Sequence, residues 1–388
     1  MADLVAVAES TKTRYTSLAD RASRLYSPLV HILSFSAFGY WMWATGGDVR
    51  YAINISAAVL IITCPCALGL AVPAVITSAS GKLFRKGLLI KHGTALERLA
   101  EVDTVVFDKT GTLTLGVPEP VGLAQHPADA LALAAALAAG SSHPLARALA
   151  DGARVLGIAP ADVADLREVP GHGIEGQWQG TRVRLGRADW CGARPLAETA
   201  TYLAVNGVTH GFAFIDRPRP GAAQAVQALQ AAGMRIELLS GDAEAPVRAL
   251  AERLGIADWR AGVLPAEKAA RVADLSGAGR KVLMVGDGLN DTAALAAAHV
   301  SISPATALDA ARVASDIVLL GQDMAPIADA VRIGRQSARR MVENFLISGG
   351  YNVIAVPLAL VGLATPLAAA LAMSLSSITV SLNAMRLR

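Results

Sequence analysis

An aspartate followed by a threonine-rich turn is the most informative chemical feature of this chain. Asp108 begins the string Asp-Lys-Thr-Gly-Thr-Leu-Thr, and the four residues before it, Thr-Val-Val-Phe, form a short β-prone run. A carboxylate at the end of a buried strand can attack phosphorus and become an acyl phosphate, while the turn holds the transferred group in line. A lone aspartate at a strand end more often caps the next turn. That alternative is improbable for the full seven-residue string, because the specificity of a motif grows with each fixed position.

Two more β-prone runs end in acidic loops, in the same way as the run before Asp108. Residues 236–239 precede Ser240-Gly241-Asp242, and residues 282–285 precede Gly286-Asp287. Ala-rich helical stretches lie between the runs, at 222–232 and 244–254. Strand and helix therefore alternate as in an α/β doubly wound parallel sheet, whose ligands bind at the carboxyl ends of the strands.

The strand–helix alternation is interrupted between residues 118 and 213. This part contains an Ala/Leu-rich helix, a Gly-rich turn and short alternating runs at 181–185 and 210–215, which predict a smaller inserted α+β domain. The α/β domain is therefore expected in two parts, at 82–117 and 214–335.

Stretches without charge lie near both ends of the chain. Residues 29–45 carry only the charge of a protonated His31, and residues 52–80 and 344–385 carry none. A span needs about 20 apolar residues, so 26–81 and 336–388 are predicted to be transmembrane hairpins. Basic residues follow each hairpin and place those ends, together with a linker at 1–25, in the cytoplasm.

The second predicted span contains Cys64-Pro65-Cys66. Pro65 removes a backbone hydrogen bond and kinks the helix, which leaves carbonyls and two thiols directed at a common space. Thiolates bind soft cations, so this segment is a candidate metal site. The alternative is a proline kink between two small buried residues, but polar groups in spans are usually functional.

The composition excludes some other classes of protein. Of the 388 residues 53% are hydrophobic and the mean hydropathy is +0.42, which is high for a soluble protein. The net charge of +3 is not gathered into a dense Lys/Arg run with interleaved aromatics, so no nucleic-acid partner is expected. Three cysteines, two of them within an apolar run, do not form a disulfide framework, and we interpret Cys191 as structural.

Taken together, these strings resemble the heavy-metal branch of the P-type ATPases, whose phosphorylation motif is Asp-Lys-Thr-Gly-Thr-Leu-Thr and whose transport site is Cys-Pro-Cys. The resemblance extends over essentially the whole chain. It implies a HAD-like phosphorylation domain in which Asp108 is the nucleophile and ATP is the phosphoryl donor. The family's Gly-Asp-Gly-x-Asn-Asp hinge is matched at 286–291, which implies a Mg²⁺ site formed by Asp108, Asp287 and Asp291. Mg²⁺ prefers a few carboxylates together with phosphate oxygens and water.

The resemblance also implies roles for residues around the phosphorylated aspartate. Ser240-Gly241-Asp242 is similar to the family's Thr-Gly-Asp loop, with Ser preserving the hydroxyl, and Lys268 matches the lysine that neutralises the phosphoryl group. Taken alone, Lys268 would more often be a solvated helix residue. The implied catalytic residues are Asp108, Thr110, Ser240, Asp242 and Lys268.

In the inserted domain, His143-Pro144 resembles the His-Pro signature whose histidine orients adenine, and Gly171-His172-Gly173 resembles the family's nucleotide-binding Gly-x-Gly. The resemblance implies that 118–213 is the nucleotide-binding domain, with Asn290 as a further ATP contact. The structural alternatives are a Ser142 N-cap with Pro144 in the first helical turn, and an unrelated Gly-rich turn. Many copper-branch members have an acidic residue shortly before the His-Pro pair, whereas this chain has Ala138-Ala139-Gly140, so the adenine contacts are expected to differ in detail.

The last hairpin bears on the identity of the metal. Zn²⁺-type relatives use an intramembrane Lys or Asp, and residues 344–385 contain neither. Tyr351-Asn352 and the segment from Met373 to Ser377 instead resemble copper-branch signatures. The implied Cu(I) ligands are Cys64, Cys66, Tyr351, Asn352, Met373 and Ser377. Thiolate and thioether without carboxylate suit Cu(I), although Met373 alone would more often be a packing residue, and a pump for Zn, Cd or Ag is the alternative.

Within the copper branch, Leu382-Asn383-Ala384 and His299-Val300-Ser301 look most like the subgroup that supplies copper to cytochrome oxidase assembly. A copper chaperone or an oxidase assembly factor is therefore a candidate partner, and Asp20 matches a family aspartate near the cytoplasmic metal entrance. The resemblance implies an integral membrane protein, embedded in lipid in the bacterial inner (plasma) membrane, with its catalytic domains in the cytoplasm.

A complete member of this branch has eight spans and an actuator domain whose Thr-Gly-Glu loop directs water at the phosphoaspartate, and no Thr-Gly-Glu occurs here. We therefore expect this chain to be the catalytic half of a pump: a gene fragment, a truncated chain or half of a split protein. Hydrolysis of the phosphoaspartate and transport are expected to be severely impaired. Two other hypotheses stay open. A membrane-anchored phosphatase with the same core would carry a second Asp two residues after the nucleophile, where this chain has Thr110. The other is a membrane metal-binding fragment that no longer turns over.

Overall fold

The computed structural model describes residues 18–63, 66–196, 198–288, 291–307 and 309–386, without the side chains of 18–27, 66–68, 70 and 71. The described chain forms an α-helical bundle, a seven-stranded sheet between helices, and a six-stranded sheet covered by two helices. The helices are α1 Leu18–Ala44, α2 Val49–Ile62, α3 Cys66–Arg85, α4 Thr94–Glu101, α5 Ala128–Ala139, α6 Pro144–Val155, α7 Ala188–Cys191, α8 Ala222–Ala231, α9 Glu244–Leu254, α10 Pro265–Gly277, α11 Thr292–Ala297, α12 Asp309–Ala314, α13 Pro326–Leu360 and α14 Pro366–Met385. The strands are β1 Leu88–Ile90, β2 Thr104–Asp108, β3 Thr114–Val121, β4 Ala164–Val169, β5 Gly173–Trp178, β6 Thr181–Gly186, β7 Thr199–Val205, β8 Val208–Pro218, β9 Arg235–Leu239, β10 Asp258–Arg260, β11 Val282–Val285, β12 Val300–Pro304 and β13 Ile317–Leu319.

The seven-stranded sheet has the order β1-β13-β12-β11-β2-β9-β10. Its pairs are parallel except for β1, which lies antiparallel to β13 at the edge. Val105 and Phe107 of β2 pack with α4, α8, α9 and α13 on one face, and Val106 packs with α10, α11 and α12 on the other. Burial on both faces explains the continuous apolar runs of these strands, and the predicted doubly wound α/β sheet is confirmed.

The six-stranded sheet is antiparallel and has the order β3-β8-β7-β6-β5-β4. Its core is formed with the Ala/Leu-rich helices α5 and α6, so the predicted α+β insertion is confirmed as a fold. The sheet starts at Thr114 and ends at Pro218, on either side of the predicted 118–213. The five-residue turn Lys109–Leu113 is the first of the two connections between the sheets.

The helical bundle differs in one respect from the predicted hairpins. The charge-free run at 52–80 lies on two helices, α2 and α3, which end and begin on either side of residues 64–65. Among the described residues, one helix, α14, is long and apolar enough to cross a membrane by itself, and α2 is apolar but shorter. The apolar part of α13 continues a charged N-terminal half in one helix of 35 residues, because nothing in the sequence ends the helix at the boundary.

The outer faces of these helices are apolar and exposed. Phe35, Trp43, Leu346, Val353 and Leu375 are each at least 66% exposed, which is unusual for large apolar side chains in water. Inside the bundle, a cluster of apolar residues joins α1, α2, α13 and α14, and Nε1 of Trp41 donates to the carbonyl of Leu360 at 2.9 Å. The bundle therefore presents an apolar surface on its outer side.

Candidate functional site

Asp108 is the last residue of the central strand β2 and is buried. The Nζ of Lys268, on α10, donates to Oδ1 of Asp108 and, at 2.8 Å, to Oδ1 of Asp291. Burial and the neighbouring Asp291 raise the pKa of Asp108 to about 7, against the opposing effect of Lys268. One buried ammonium group is thus shared by two carboxylates, which keeps both in place despite their mutual repulsion.

Three carboxylates converge on this point. Ligand oxygens of Asp108, Asp287 and Asp291 lie within 4.8 Å of one another. Burial, followed by the charge of Asp291, raises the pKa of Asp287 to about 6, against the effect of the nearby Arg219. A group of hard oxygen ligands that repel one another is the kind of donor set that a Mg²⁺ ion stabilises, so the three predicted residues fit this ion.

The turn after Asp108 is fitted closely to the acidic cluster. Gly111 has φ +71°, and a Cβ built on it would overlap Oδ2 of Asp287. Only glycine satisfies both requirements, because other residues are strained at positive φ and would displace the carboxylate. The turn therefore packs its backbone directly against the candidate Mg²⁺ ligand.

The loop after β9 contacts the same turn from the other side. Parallel pairing sets Asp108 beside Leu239, so Ser240 and Asp242 follow at the same edge of the sheet. Lys109 forms an ion pair with Asp242, and Oγ1 of Thr110 donates to Oδ2 of Asp242 at 3.2 Å. The hydroxyl of Ser240 accepts from the amide of Asp242 at 3.1 Å, which fixes the loop locally.

Two charged residues at this site, Asp216 and Arg219, were missed by sequence reasoning. Arg219 is buried and donates to the carbonyls of Gly111, at 2.7 Å, and Thr114, at 3.2 Å. Asp216 accepts from the hydroxyl of Thr114 and, at 3.0 Å, from the amide of Gly116. Both lie where the chain leaves β8 and returns to the seven-stranded sheet. The charged Asp-x-x-Arg string at this point is the sequence feature that could have indicated a role for these two residues.

In the inserted domain, His143 and Pro144 begin α6. Nδ1 of His143 accepts from the amide of Leu145 at 3.3 Å and Pro144 is the first helical residue, so His143, and not Ser142, is the N-cap. A cavity of about 450 Å³ lies between this helix start and the turn that contains Gly171 and Gly173. Three of the predicted residues, His143, Gly171 and Gly173, therefore line one cavity, and Pro144 does not.

A second cavity of about 630 Å³ connects the two domains. It is lined by His143 and Pro144 at one end and by Lys109, Thr110 and Asp242 at the other. His143 lines both cavities, so the two lie on either side of the start of α6. Asn290, the remaining predicted nucleotide contact, lies outside the described residues.

The predicted metal ligands of the helical bundle are described only in part. Cys64 and Pro65 lie outside the described residues, as do the side chains of Cys66 and Asp20. The hydroxyl of Tyr351 is buried and has no hydrogen-bond partner among the described residues. Asn352, Met373 and Ser377 are half-buried, and the hydroxyl of Ser377 donates to the carbonyl of Met373 at 3.2 Å.

The packing of α3, α13 and α14 allows the positions of Cys66, Tyr351 and Ser377 along their helices to be compared. Val75 of α3, Met341 of α13 and Ala384 of α14 belong to one buried cluster. Cys66 lies nine positions before Val75, Tyr351 ten positions after Met341, and Ser377 seven positions before Ala384. At about 1.5 Å per residue these steps are about 10 to 15 Å along each helix. Cys66, Tyr351 and Ser377 therefore lie at similar distances from this cluster, each measured along its own helix.

Known proteins resemble the chain over its full length. Residues 102–299 match the family model of the haloacid dehalogenase-like hydrolases. The chain is 47% identical over 392 residues to the nitrogen fixation protein FixI of Rhizobium leguminosarum bv. viciae, an alignment that covers 99% of this chain and 51% of that protein. It is 39% identical over 415 residues to a copper-transporting P-type ATPase of the same organism, covering 100% of this chain and 49% of that protein. The chain thus spans about half the length of both relatives.

Two solved structures share this fold. A zinc-transporting PIB-type ATPase in the E2.Pi state is 31% identical, with a TM-score of 0.84 over 99% of this chain and 66% of that chain. The catalytic domain of the CPx-ATPase CopB-B, from a study of conformational changes upon nucleotide binding, is 32% identical, with a TM-score of 0.58 over 65% of this chain and 98% of that chain.

Proposed function

Because this chain belongs to the haloacid dehalogenase-like hydrolases and forms the catalytic half of a P-type ATPase, we propose that it drives the export of Cu(I), with Asp108 as the residue phosphorylated by ATP. The observation that carries the proposal is the meeting of Asp108 with Lys268, Asp287 and Asp291. Lys109 and Thr110, the next residues after Asp108, line the cavity that His143 also lines. A nucleophile, a cation and a Mg²⁺ donor set thus follow directly on a cavity that the proposed nucleotide contacts His143 and Pro144 also line.

The first step is phosphoryl transfer. An oxygen of Asp108 forms a bond to the γ-phosphorus of ATP while the bond from that phosphorus to the β–γ bridging oxygen breaks, and ADP leaves with that oxygen. Lys268 stabilises negative charge on the transferred group, and Thr110 and Ser240 offer hydroxyls to its oxygens. Asp108, Asp287 and Asp291 would hold Mg²⁺, which would supply charge neutralisation at the phosphate oxygens.

Two continuous connections link this chemistry to the helical bundle. The 35-residue helix α13 packs against the seven-stranded sheet in its first half and carries Tyr351 and Asn352 in its second. The helix α3 starts at Cys66 and leads into β1, which pairs with β13 at the edge of the same sheet. These two helices are the route by which a movement of the phosphorylated domain would reach the proposed metal ligands.

The choice of Cu(I) rests on the chemistry of the side chains. Cys64, Cys66 and Met373 offer sulfur, and the charge-free run 344–385 offers no carboxylate or lysine. Soft ligands favour Cu(I), and one relative is named as a copper-transporting P-type ATPase.

The likeness to a zinc-transporting PIB-type ATPase favours a second candidate, a pump for another transition metal such as Zn²⁺. An integral position in a bacterial inner membrane, with a copper chaperone or oxidase assembly factor as partner, belongs to the same proposal.

Labelling with γ-³²P-ATP tests the proposal on this chain alone. We expect a phosphoprotein that survives acid, is cleaved by hydroxylamine and disappears in Asp108→Asn, because these are the properties of an acyl phosphate. Asp274→Asn, a change at an exposed aspartate of α10, is the matched control and keeps its label. Labelling that survives Asp108→Asn would exclude Asp108 as the nucleophile.

The identity of the metal is tested in the same assay. Cu(I) is expected to increase the labelling of the wild-type chain more than Zn²⁺ does, and Cys64→Ser and Cys66→Ser should abolish that increase. Greater stimulation by Zn²⁺ would favour the second candidate. Cu(I) binding that depends on both cysteines, without any label under any condition, would identify a metal-binding fragment that does not turn over.

A further inference from the structure

The cavity between His143 and Gly171 contains a carboxylate that the proposed mechanism does not use. Glu168, on β4, is the only acidic residue among the described residues that line this cavity. It is solvent-exposed, so its carboxylate is accessible to a molecule that enters the cavity.

A hydrogen-bonded bridge holds Glu168 in place. The hydroxyl of Ser141 donates to Oε1 of Glu168 at 2.9 Å and accepts from the amide of His143 at 3.2 Å. The bridge joins β4 to the N-terminal end of α6 across the cavity. It uses one carboxylate oxygen, and Oε2 of Glu168 has no protein partner among the described residues, so it is left to accept a hydrogen bond from a ligand.

The lining around Gly171 leaves room for a flat ring. Gly171 has φ +78°, and no atom lies within 4 Å of a Cβ built on it. The cavity of about 450 Å³ is within the usual range for small-molecule sites, and Ile174 and Leu185 contribute apolar surface. An aromatic base can therefore lie between apolar side chains and a glycine backbone, with one edge towards Glu168.

We propose that Glu168 selects the adenine base of ATP by accepting a hydrogen bond from its exocyclic amine, a role that rests on the nucleotide site proposed above. A carboxylate accepts and does not donate hydrogen bonds. Adenine carries an amine at position 6, whereas guanine and hypoxanthine carry a carbonyl there, which would face Oε2 of Glu168 acceptor to acceptor. The pocket thus favours 6-amino purines over 6-oxo purines.

The test compares MgATP with MgITP, whose base differs from adenine in having a 6-oxo group and a protonated N1. Binding to the purified 388-residue chain is measured by isothermal titration calorimetry. We expect the wild-type chain to prefer ATP by about tenfold or more, since hydrogen bonds to charged groups are worth at least this factor. Glu168→Gln should bring the ratio close to one, because an amide both donates and accepts. Glu168→Ala should lose the preference through weaker ATP binding.

The matched control is Asp165→Asn, on the same strand. Asp165 is exposed, does not line the cavity and has φ +53°, a conformation that asparagine tolerates. Its ATP-to-ITP ratio should equal that of the wild-type chain. A wild-type chain without preference, or variants at Glu168 with an unchanged ratio, would overturn the role of Glu168 while leaving phosphorylation of Asp108 intact. A folded wild-type chain that binds neither nucleotide would overturn both proposals.

Discussion

The ammonium group of Lys268 donates a hydrogen bond to Oδ1 of Asp108, although 160 positions separate the two residues in sequence. Lys268 begins the second turn of α10, and Asp108 ends the strand at the centre of the sheet. Burial on its own would lower the pKa of Lys268, but Asp108 and Asp291 outweigh burial and raise it. The lysine is therefore a fixed cation beside the nucleophile before any nucleotide is bound.

Lys268→Met should slow phosphorylation of Asp108 without preventing nucleotide binding. The change removes the cation that stabilises charge on the transferred group, and loss of one such donor reduces rates by about 10²- to 10³-fold. The measurement is the initial rate of labelling by saturating MgATP. Lys281→Met removes an exposed lysine elsewhere on the same domain and should leave the rate unchanged. A wild-type rate in Lys268→Met would show that the contact with Asp108 is structural only.

Gly111→Ala should couple a loss of stability to a loss of Mg²⁺-dependent labelling. A residue other than glycine at positive φ costs about 1–2 kcal/mol, and here the added Cβ would also overlap the carboxylate of Asp287. Gly279→Ala is the control, since Gly279 has φ +84° and open space around it and therefore meets only the conformational cost. Thermal unfolding and the Mg²⁺ concentration for half-maximal labelling are measured for both. Equal behaviour of the two variants would mean that Gly111 serves only the turn.

The sequence predicts with good accuracy the strands that precede the acidic loops. The β-prone runs 104–107, 236–239 and 282–285 differ by at most one residue from β2, β9 and β11. These strands are buried on both faces, so the apolar run and the strand end at the same residue. The helix predicted at 244–254 coincides with α9, because its pattern is also set by local sequence. Features set by distant partners were not accessible in this way.

Three such features show where local patterns fail. The antiparallel edge strand β1 depends on its pairing with β13, more than 200 positions away. The cavity position of Glu168 depends on a hydrogen bond from Ser141 across two elements. Arg219 reads as one more surface arginine in a charged string, because only the folded turn at Gly111 and Thr114 supplies the carbonyls that it binds.

Arg219→Met should destabilise the turn that follows Asp108. The buried guanidinium donates to the carbonyls of Gly111 and Thr114, and its loss leaves both acceptors without this donor. Unsatisfied buried acceptors cost about 1–3 kcal/mol each, so we expect a lower unfolding temperature together with weaker labelling. Arg217→Met is the control: Arg217 is exposed and pairs with Glu119, and its loss should cost at most about 1 kcal/mol. Matching effects of the two changes would contradict a specific role for Arg219.

Glu175 of β5 makes the stability of the inserted domain dependent on pH. It is buried, and hydrogen bonds from Arg182 first and then Arg167 outweigh burial and lower its pKa below the ordinary value of 4.5. A carboxyl whose folded-state pKa is depressed stabilises the fold above its unfolded-state pKa, and this contribution is lost as the pH falls through the folded-state value.

Glu175→Gln should therefore destabilise β5 and β6 at pH 7 by about 1 kcal/mol, since both arginines are largely exposed and solvent screens the pairs. The difference from the wild-type chain should shrink as the pH falls below 4.5, because protonated Glu175 and glutamine are both neutral. Hydrogen exchange of the amides of β5 and β6, corrected for the intrinsic rate at each pH, gives the free energy of opening. Glu119→Gln, at an exposed pair with Arg217, should change this free energy little at any pH. A difference for Glu175→Gln that stays constant down to about pH 3 would show that the side chain acts through packing and not through its charge.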